Sequence, residues 1–221
     1  MRTAASAEAT GQTVMDPSSL PDRLAALLDR YGLSDQERIQ LAKLFVSVNF
    51  SKKQFFLQAG EQCSRIGYVC SGMFKMYYLV DGKEQIKDFS GDHQFVGSYA
   101  SLLTARPARC YVQAMQNSTV LVADIAALRH TFRNSLPFLR LEKRIVETLF
   151  LRKEEREADF LLLDAPQRYL KFMEQRGSHL EGISQTEIAS FIGVTNVALS
   201  RIRARLFKDG GKRGPNAAIA P

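Results

Sequence analysis

Apolar positions along the chain change period twice. From Leu20 to Leu44 they follow helical spacing: Leu24, Leu27 and Leu28 recur three and four apart, and Ile39, Leu41 and Leu44 resume after a break at Tyr31-Gly32. Ser34, three residues before Glu37, makes a capping box that starts the second of these helices. From Val48 to Val122 the segments become short, β-branched or aromatic, and separated by glycines. Phe55–Leu57, Ile66–Val69, Met73–Val80, Gln85–Phe89, Tyr111–Val112 and Val120–Val122 are predicted strands. Asp81-Gly82 predicts a type I′ hairpin turn, which needs positive φ at both central residues. Many short strands with glycine turns predict a barrel or jelly roll.

Helical spacing returns at Ile125. Pro137 is suited to the first turn of a long helix, in which Phe138, Leu141, Ile145 and Leu149 recur at three or four. Charged residues continue it from Arg152 to Glu157, Glu154 and Glu155 among them. An apolar stripe with a charged continuation predicts a helix that pairs with its symmetry mate. Asp164 caps the next helix, with Pro166 in its first turn and Tyr169, Leu170, Phe172 and Met173 as its apolar face.

The segment from Ile183 to Leu206 carries the functional signal. Ser184 and Glu187 form a capping box; Ile188, Phe191 and Ile192 line one face; Gly193 ends the helix. Thr195 caps a second helix two residues later, with Leu199, Ile202 and Leu206 as its buried stripe. Ala189 is small where the two helices approach closely. Asn196, Val197, Ser200, Arg201, Arg203 and Arg205 form the opposite face. Arginine pairs bidentately with guanine and asparagine with adenine. Ser and Thr hydroxyls and helix N-termini hold phosphates. The segment therefore predicts a helix-turn-helix that binds double-stranded DNA.

Charge sharpens this reading. Of the net +7, the residues from Pro166 onward hold nine Lys/Arg against four Asp/Glu, and the rest hold 21 against 19. Basicity concentrated in one quarter of the chain is the footprint of a polyanion-binding unit. Cys63, Cys70 and Cys110 show no C-x-x-C pair, and the three histidines lie far from them in sequence, so no metal site is predicted. No G-x-S-x-G, Walker or H-E-x-x-H motif is present, so no enzyme is predicted. The first twelve residues lack a signal-peptide apolar run, and no stretch spans a bilayer, so a cytoplasmic protein without a membrane partner is expected.

In this order and spacing, Gln58-Ala59-Gly60-Glu61, Tyr68-Val69-Cys70-Ser71-Gly72, Asp81-Gly82-Lys83-Glu84, Phe95-Val96-Gly97, Ile188-Ala189, Ile192-Gly193-Val194-Thr195 and Leu199-Ser200-Arg201-Ile202 resemble the cyclic AMP receptor/fumarate-nitrate reductase regulators. These are bacterial transcription factors. The resemblance implies an α+β fold: a β-roll, jelly-roll-like sensor, a long dimerisation helix and a C-terminal winged helix-turn-helix. The expected boundaries are a disordered tail (1–19), sensor domain (20–135), dimerisation helix (136–163), DNA-binding domain (164–207) and flexible basic tail (208–221). The implied partners are double-stranded DNA as a pseudo-palindromic site, a second copy of the chain, and RNA polymerase. Carried over, Asn196, Val197 and Arg201 occupy base-reading positions, Ser184 and Thr186 phosphate-contacting ones, and Gln185 lies beside the groove.

Two departures stand out. Relatives that bind cyclic nucleotides carry Gly-Glu and then a Pro-Arg-Ser/Thr segment. Here the corresponding residues are Gly97-Ser98 and Pro107-Ala108-Arg109-Cys110. Ser98 stands where a carboxylate accepts a ribose hydroxyl, and Glu154 and Glu155 fall near nucleotide-facing positions. Gly97, Ser98, Arg109 and Cys110 are therefore expected to line an effector site, with cyclic AMP disfavoured against another small effector. After Phe207 too few apolar residues remain for a hairpin with a buried face, so a reduced wing is expected, with Lys208, Lys212 and Arg213 as phosphate contacts. A ligand-binding module acting through a protein partner is the competing reading, and the arginine row argues against it.

Overall fold

The computed structural model describes residues 13–14, 20–176 and 182–210. The expected N-terminal tail, apart from Thr13–Val14, and the expected wing lie outside them. In chain order the elements are β1 (Thr13–Val14), α1 (Asp22–Arg30), α2 (Asp35–Leu44), β2 (Val46–Phe50), β3 (Phe55–Leu57), β4 (Arg65–Ser71), β5 (Phe74–Val80), β6 (Lys83–Ser90), β7 (Phe95–Val96), α3 (Tyr99–Thr104), β8 (Tyr111–Ala114), β9 (Ser118–Asp124), α4 (Ile125–Thr131), α5 (Leu136–Leu162), α6 (Ala165–Arg176), α7 (Gln185–Ile192) and α8 (Asn196–Gly210). They form two compact units, Met1–Arg152 and Lys153–Pro221, which divide within α5.

The first unit is a roll of two antiparallel sheets, ordered β1-β2-β9-β4-β7 and β3-β8-β5-β6. Every predicted strand is present. The Asp81-Gly82 turn has φ of 50° and 73°, as a type I′ turn requires. The strand β2 was not predicted, although Val46, Val48 and Phe50 alternate; it pairs with β9 along its whole length. Phe50, Phe56 and Phe74 pack between the sheets, with Phe50 and Phe74 edge to face at 5.5 Å.

Strands β4 and β9 are buried on both faces. Val69, Val120 and Val122 point between the sheets, whereas Ile66, Tyr68, Leu121 and Ala123 pack against α1, α4 and the start of α5. This explains the unbroken apolar run Val120-Leu121-Val122, because a strand covered on both faces does not alternate. Burying each such side chain contributes about 1.5–3 kcal/mol.

The long helix departs from expectation. Phe138 and Leu141 are buried and Ile145 packs beside them, in the core of the first unit rather than on a symmetry mate. The first unit already offers a facing apolar surface from Leu24, Leu28 and Leu128, and that contact claims Phe138, Leu141 and Ile145 of the stripe. A different face of α5 carries exposed Leu139 and Phe150. The helix α8 also continues to Gly210, three residues into the expected tail, since no helix breaker precedes that glycine.

Ser135 caps α5 by accepting from the Phe138 N–H at 3.2 Å, and its hydroxyl also donates to Glu37 on α2. That bond, then the Ser34 N–H, hold Glu37 below the usual carboxylate range. A folded value below the unfolded one adds stability above the unfolded pKa, lost as pH falls through the folded value. Thermal unfolding between pH 7 and pH 3 should therefore lose less stability in Ser135→Ala than in the parent chain. An equal acid loss in both would refute this linkage.

Candidate nucleic-acid interface and sensor segment

The second unit is built around two short helices and the turn between them. Ser184 accepts from the Glu187 N–H at 3.3 Å, and the Glu187 carboxylate accepts from the Ser184 N–H at 2.9 Å. This is the capping box read from the sequence. The Ser184 hydroxyl also donates to the Glu187 carboxylate, at 2.8 Å. Gly193 closes α7 with φ of +75° and ψ of 39°. Thr195 then accepts from the Ala198 N–H at 3.2 Å and starts α8. Ala189, Ile192 and Leu199 are buried between the helices.

Two arginines outside the motif hold its first helix. The last carbonyls of a helix have no intrahelical donor. Arg156 donates to the Phe191 carbonyl at 2.8 Å, and Arg168 donates to the Ile192 carbonyl at 2.9 Å. Both guanidinia lie over the Phe160 ring, at 5.0 and 4.9 Å from its centroid. That ring sits against the turn: a Cβ on Gly193 would come within 2.6 Å of it. Cations at a helix C-terminus are also favoured by the macrodipole. Sequence reasoning missed these three residues, because their partners are 24 or more residues away.

Asn196, Val197, Ser200, Arg201 and Arg205 share the exposed arc of α8. Asn196 donates through Nδ2 to the Thr186 hydroxyl at 2.9 Å, which fixes its side chain across the two helices. Gln185 and Thr195 are exposed at the starts of α7 and α8. Arg203 departs from the expected face and is half-buried. It lies four residues after Leu199 and three before Leu206, which at helical spacing puts it beside the buried stripe.

In the first unit, the loop before β4 clips the segment 97–110. Gly60 donates to the Ala108 carbonyl and Ala108 donates to the Glu61 carbonyl, both at 2.8 Å. The Cys63 N–H donates to Ser101 Oγ at 3.0 Å, and Ser101 donates to the Arg106 carbonyl at 2.6 Å. Gly97, Ser98 and Cys110 come together here around the Cys63 thiol, which sequence reasoning had not assigned. Burial pushes that thiol up, so it stays protonated. Ser98 and Cys110 are buried. Arg109, next to Cys110 in the chain, is exposed.

Two polar links tie the first unit to α5. Arg152 donates to Asp88 on β6 at 2.8 Å. Arg129 donates through Nε and Nη2 to Glu142 at 2.9 and 2.6 Å and is also hydrogen-bonded to Tyr99, at the start of α3. Burial, then Glu142, push the Tyr99 hydroxyl above its usual range. Arg152 and Glu142 are thus polar residues that α5 turns to the first unit. Glu155 pairs with Lys171 at 2.7 Å in the second unit, and Glu154 is exposed.

Residues 47–135 match the cyclic nucleotide-binding domain family. FixK2 from Bradyrhizobium japonicum superposes with a TM-score of 0.67 at 18% identity, over 79% of this chain and 89% of its own. A Crp/Fnr-family protein from Eubacterium rectale gives 0.64 at 13% identity, over 80% and 85%. The chain has the Crp/Fnr regulator fold. Within that fold, the c-di-GMP-responsive global regulator CLP from Xanthomonas campestris is similar at 0.64 and 16% identity, over 84% and 93%. No curated protein matches the sequence significantly. Among the described residues, no His, Cys, Asp and Glu group is placed to hold a metal, and no helix is long and apolar enough to cross a membrane.

Proposed function

We propose that this chain is a homodimeric, DNA-binding transcription regulator whose roll senses a small effector. One observation carries the reading: α8 follows a capped helix and a glycine turn, and its exposed arc holds Asn196, Val197, Ser200, Arg201 and Arg205. A helix in this position enters the major groove with its N-terminal residues toward base edges. The Crp/Fnr fold supports the same reading. The dimer forms through the second face of α5, where Leu139 and Phe150 are 46% and 64% exposed, with Val146 between them at heptad-like spacing. RNA polymerase is the further partner of a regulator of this kind.

The effector acts on segment 97–110. A cyclic nucleotide suits it poorly: Ser98 supplies no carboxylate and is buried, and Arg109 faces solvent. Effector and DNA each bias one equilibrium of the recognition helices. The links Tyr99–Arg129–Glu142 and Asp88–Arg152 carry the signal to α5, whose later residues Arg156 and Phe160 hold the turn of the reading motif.

Fluorescence anisotropy of labelled duplex DNA over a salt series tests the reading. Log affinity should fall linearly with log salt, by about 0.9 for each phosphate contacted. Absence of binding, or binding indifferent to salt, would defeat it. Native mass spectrometry of the same sample should give twice the chain mass.

A further inference from the structure

We propose that Val197 reads the 5-methyl group of a thymine and thereby sets one base of each operator half-site. The inference rests on the DNA-binding reading above. Val197 is the second residue of α8 and is 61% exposed, an aliphatic side chain in the middle of a polar arc. Asn196 precedes it, and exposed Ser200 and Arg201 follow one turn later on the same arc. An exposed valine here is uncovered apolar surface that gains from an apolar partner.

The major groove offers one such partner. Guanine, cytosine and adenine present donors and acceptors at their edges, and thymine alone adds a methyl group. Valine neither donates nor accepts. A cytosine amino group or guanine oxygen pressed against it would be desolvated without a hydrogen bond, which disfavours those bases. The branched side chain is also stiff in a helix, so little rotamer freedom is lost on contact.

The surroundings fix the register of this contact. The hydrogen bond from Asn196 to Thr186 anchors the first turn of α8 to α7 and leaves Asn196 Oδ1 and a second Nδ2 hydrogen for a base edge. Arg201 lies four residues on, about 6 Å along the helix. That is under two base-pair rises of roughly 3.4 Å. The thymine should therefore stand within about two base pairs of the guanine read by Arg201.

The test uses the full chain. Duplexes randomised over roughly 24 base pairs, room for two half-sites one helical turn apart, are enriched at low salt, and the winner is remade with single dT-to-dU replacements. At one thymine per half-site, loss of the methyl should lower affinity about four-fold. Val197→Ala should bind the dT and dU duplexes alike. Val197→Glu should move the enriched base from thymine to cytosine, because its carboxylate accepts from the cytosine amino group. The exposed position leaves folding intact, which a thermal melt checks. An enriched duplex insensitive to every dU replacement, or a Val197→Ala chain that keeps the sensitivity, would overturn the inference while DNA binding stands. Enrichment of no duplex would overturn both.

Discussion

Arg201→Ala should sharply weaken operator recognition while leaving the chain folded. A bidentate arginine–guanine pair discriminates by about 1–3 kcal/mol, roughly five- to 150-fold for each half-site. Arg201 is exposed on the arc of α8 that carries Asn196 and Val197, so its loss removes no buried packing. Thermal unfolding should not move. Arg203 is a poorer probe: it is half-buried beside Leu199, and its replacement mixes packing with recognition. Arg201→Lys separates charge from geometry, since lysine keeps the charge without the planar fork. The lysine variant should retain salt-dependent, nonspecific binding and lose preference for the operator. Anisotropy against specific and scrambled duplexes measures both quantities. An Arg201→Ala chain with undiminished preference would remove α8 as the reading element.

The second large effect is on the fold of the first unit. Gly72 has φ of +115°, and a Cβ there would lie 2.1 Å from Ser118 Oγ, 2.4 Å from its Cβ and 2.7 Å from its Cα. The site cannot relax easily. Ser118 is buried, accepts from the Met73 N–H at 3.3 Å and donates to the Gln116 carbonyl at 2.9 Å, while the Gly72 N–H donates to Asp92 at 2.7 Å. Gly72→Ala adds backbone strain of about 1–3 kcal/mol to overpacking of about 1–3 kcal/mol. The combined loss is a large part of a stability that is typically about 5–15 kcal/mol. Chemical denaturation of the first unit should register it as a lower midpoint. Adding Ser118→Gly should recover only part of the loss, because the clash with the backbone at position 118 and the positive φ persist. A single Gly72→Ala chain with an unchanged midpoint would contradict the close approach.

These two positions mark what was readable from the chain alone. Arg201 was identified by local pattern: a cap at Thr195, a stripe at Leu199, Ile202 and Leu206, and an arginine on the other face. Gly72 was visible only as part of a recurring motif; nothing local points to Ser118, 46 residues away. Arg203 shows how pattern fails at its edge, since a stripe three residues wide cannot say which flank is covered.

The sequence by itself determined the caps at Ser34, Ser184 and Thr195, the turn at Asp81-Gly82 and the stop at Gly193. Each depends on groups within three residues of one another, so local chemistry suffices. The tertiary structure decided which face of α5 is buried, how α5 is tied to the first unit, and what holds the helix-turn-helix in shape. Those outcomes rest on Phe138 against Leu128, Arg152 with Asp88, and Arg156 and Arg168 on the carbonyls of α7. A helical stripe is equally satisfied by its own domain or by a second copy. Only the surface that folding brings nearest settles the choice, because burial is favourable against any apolar partner.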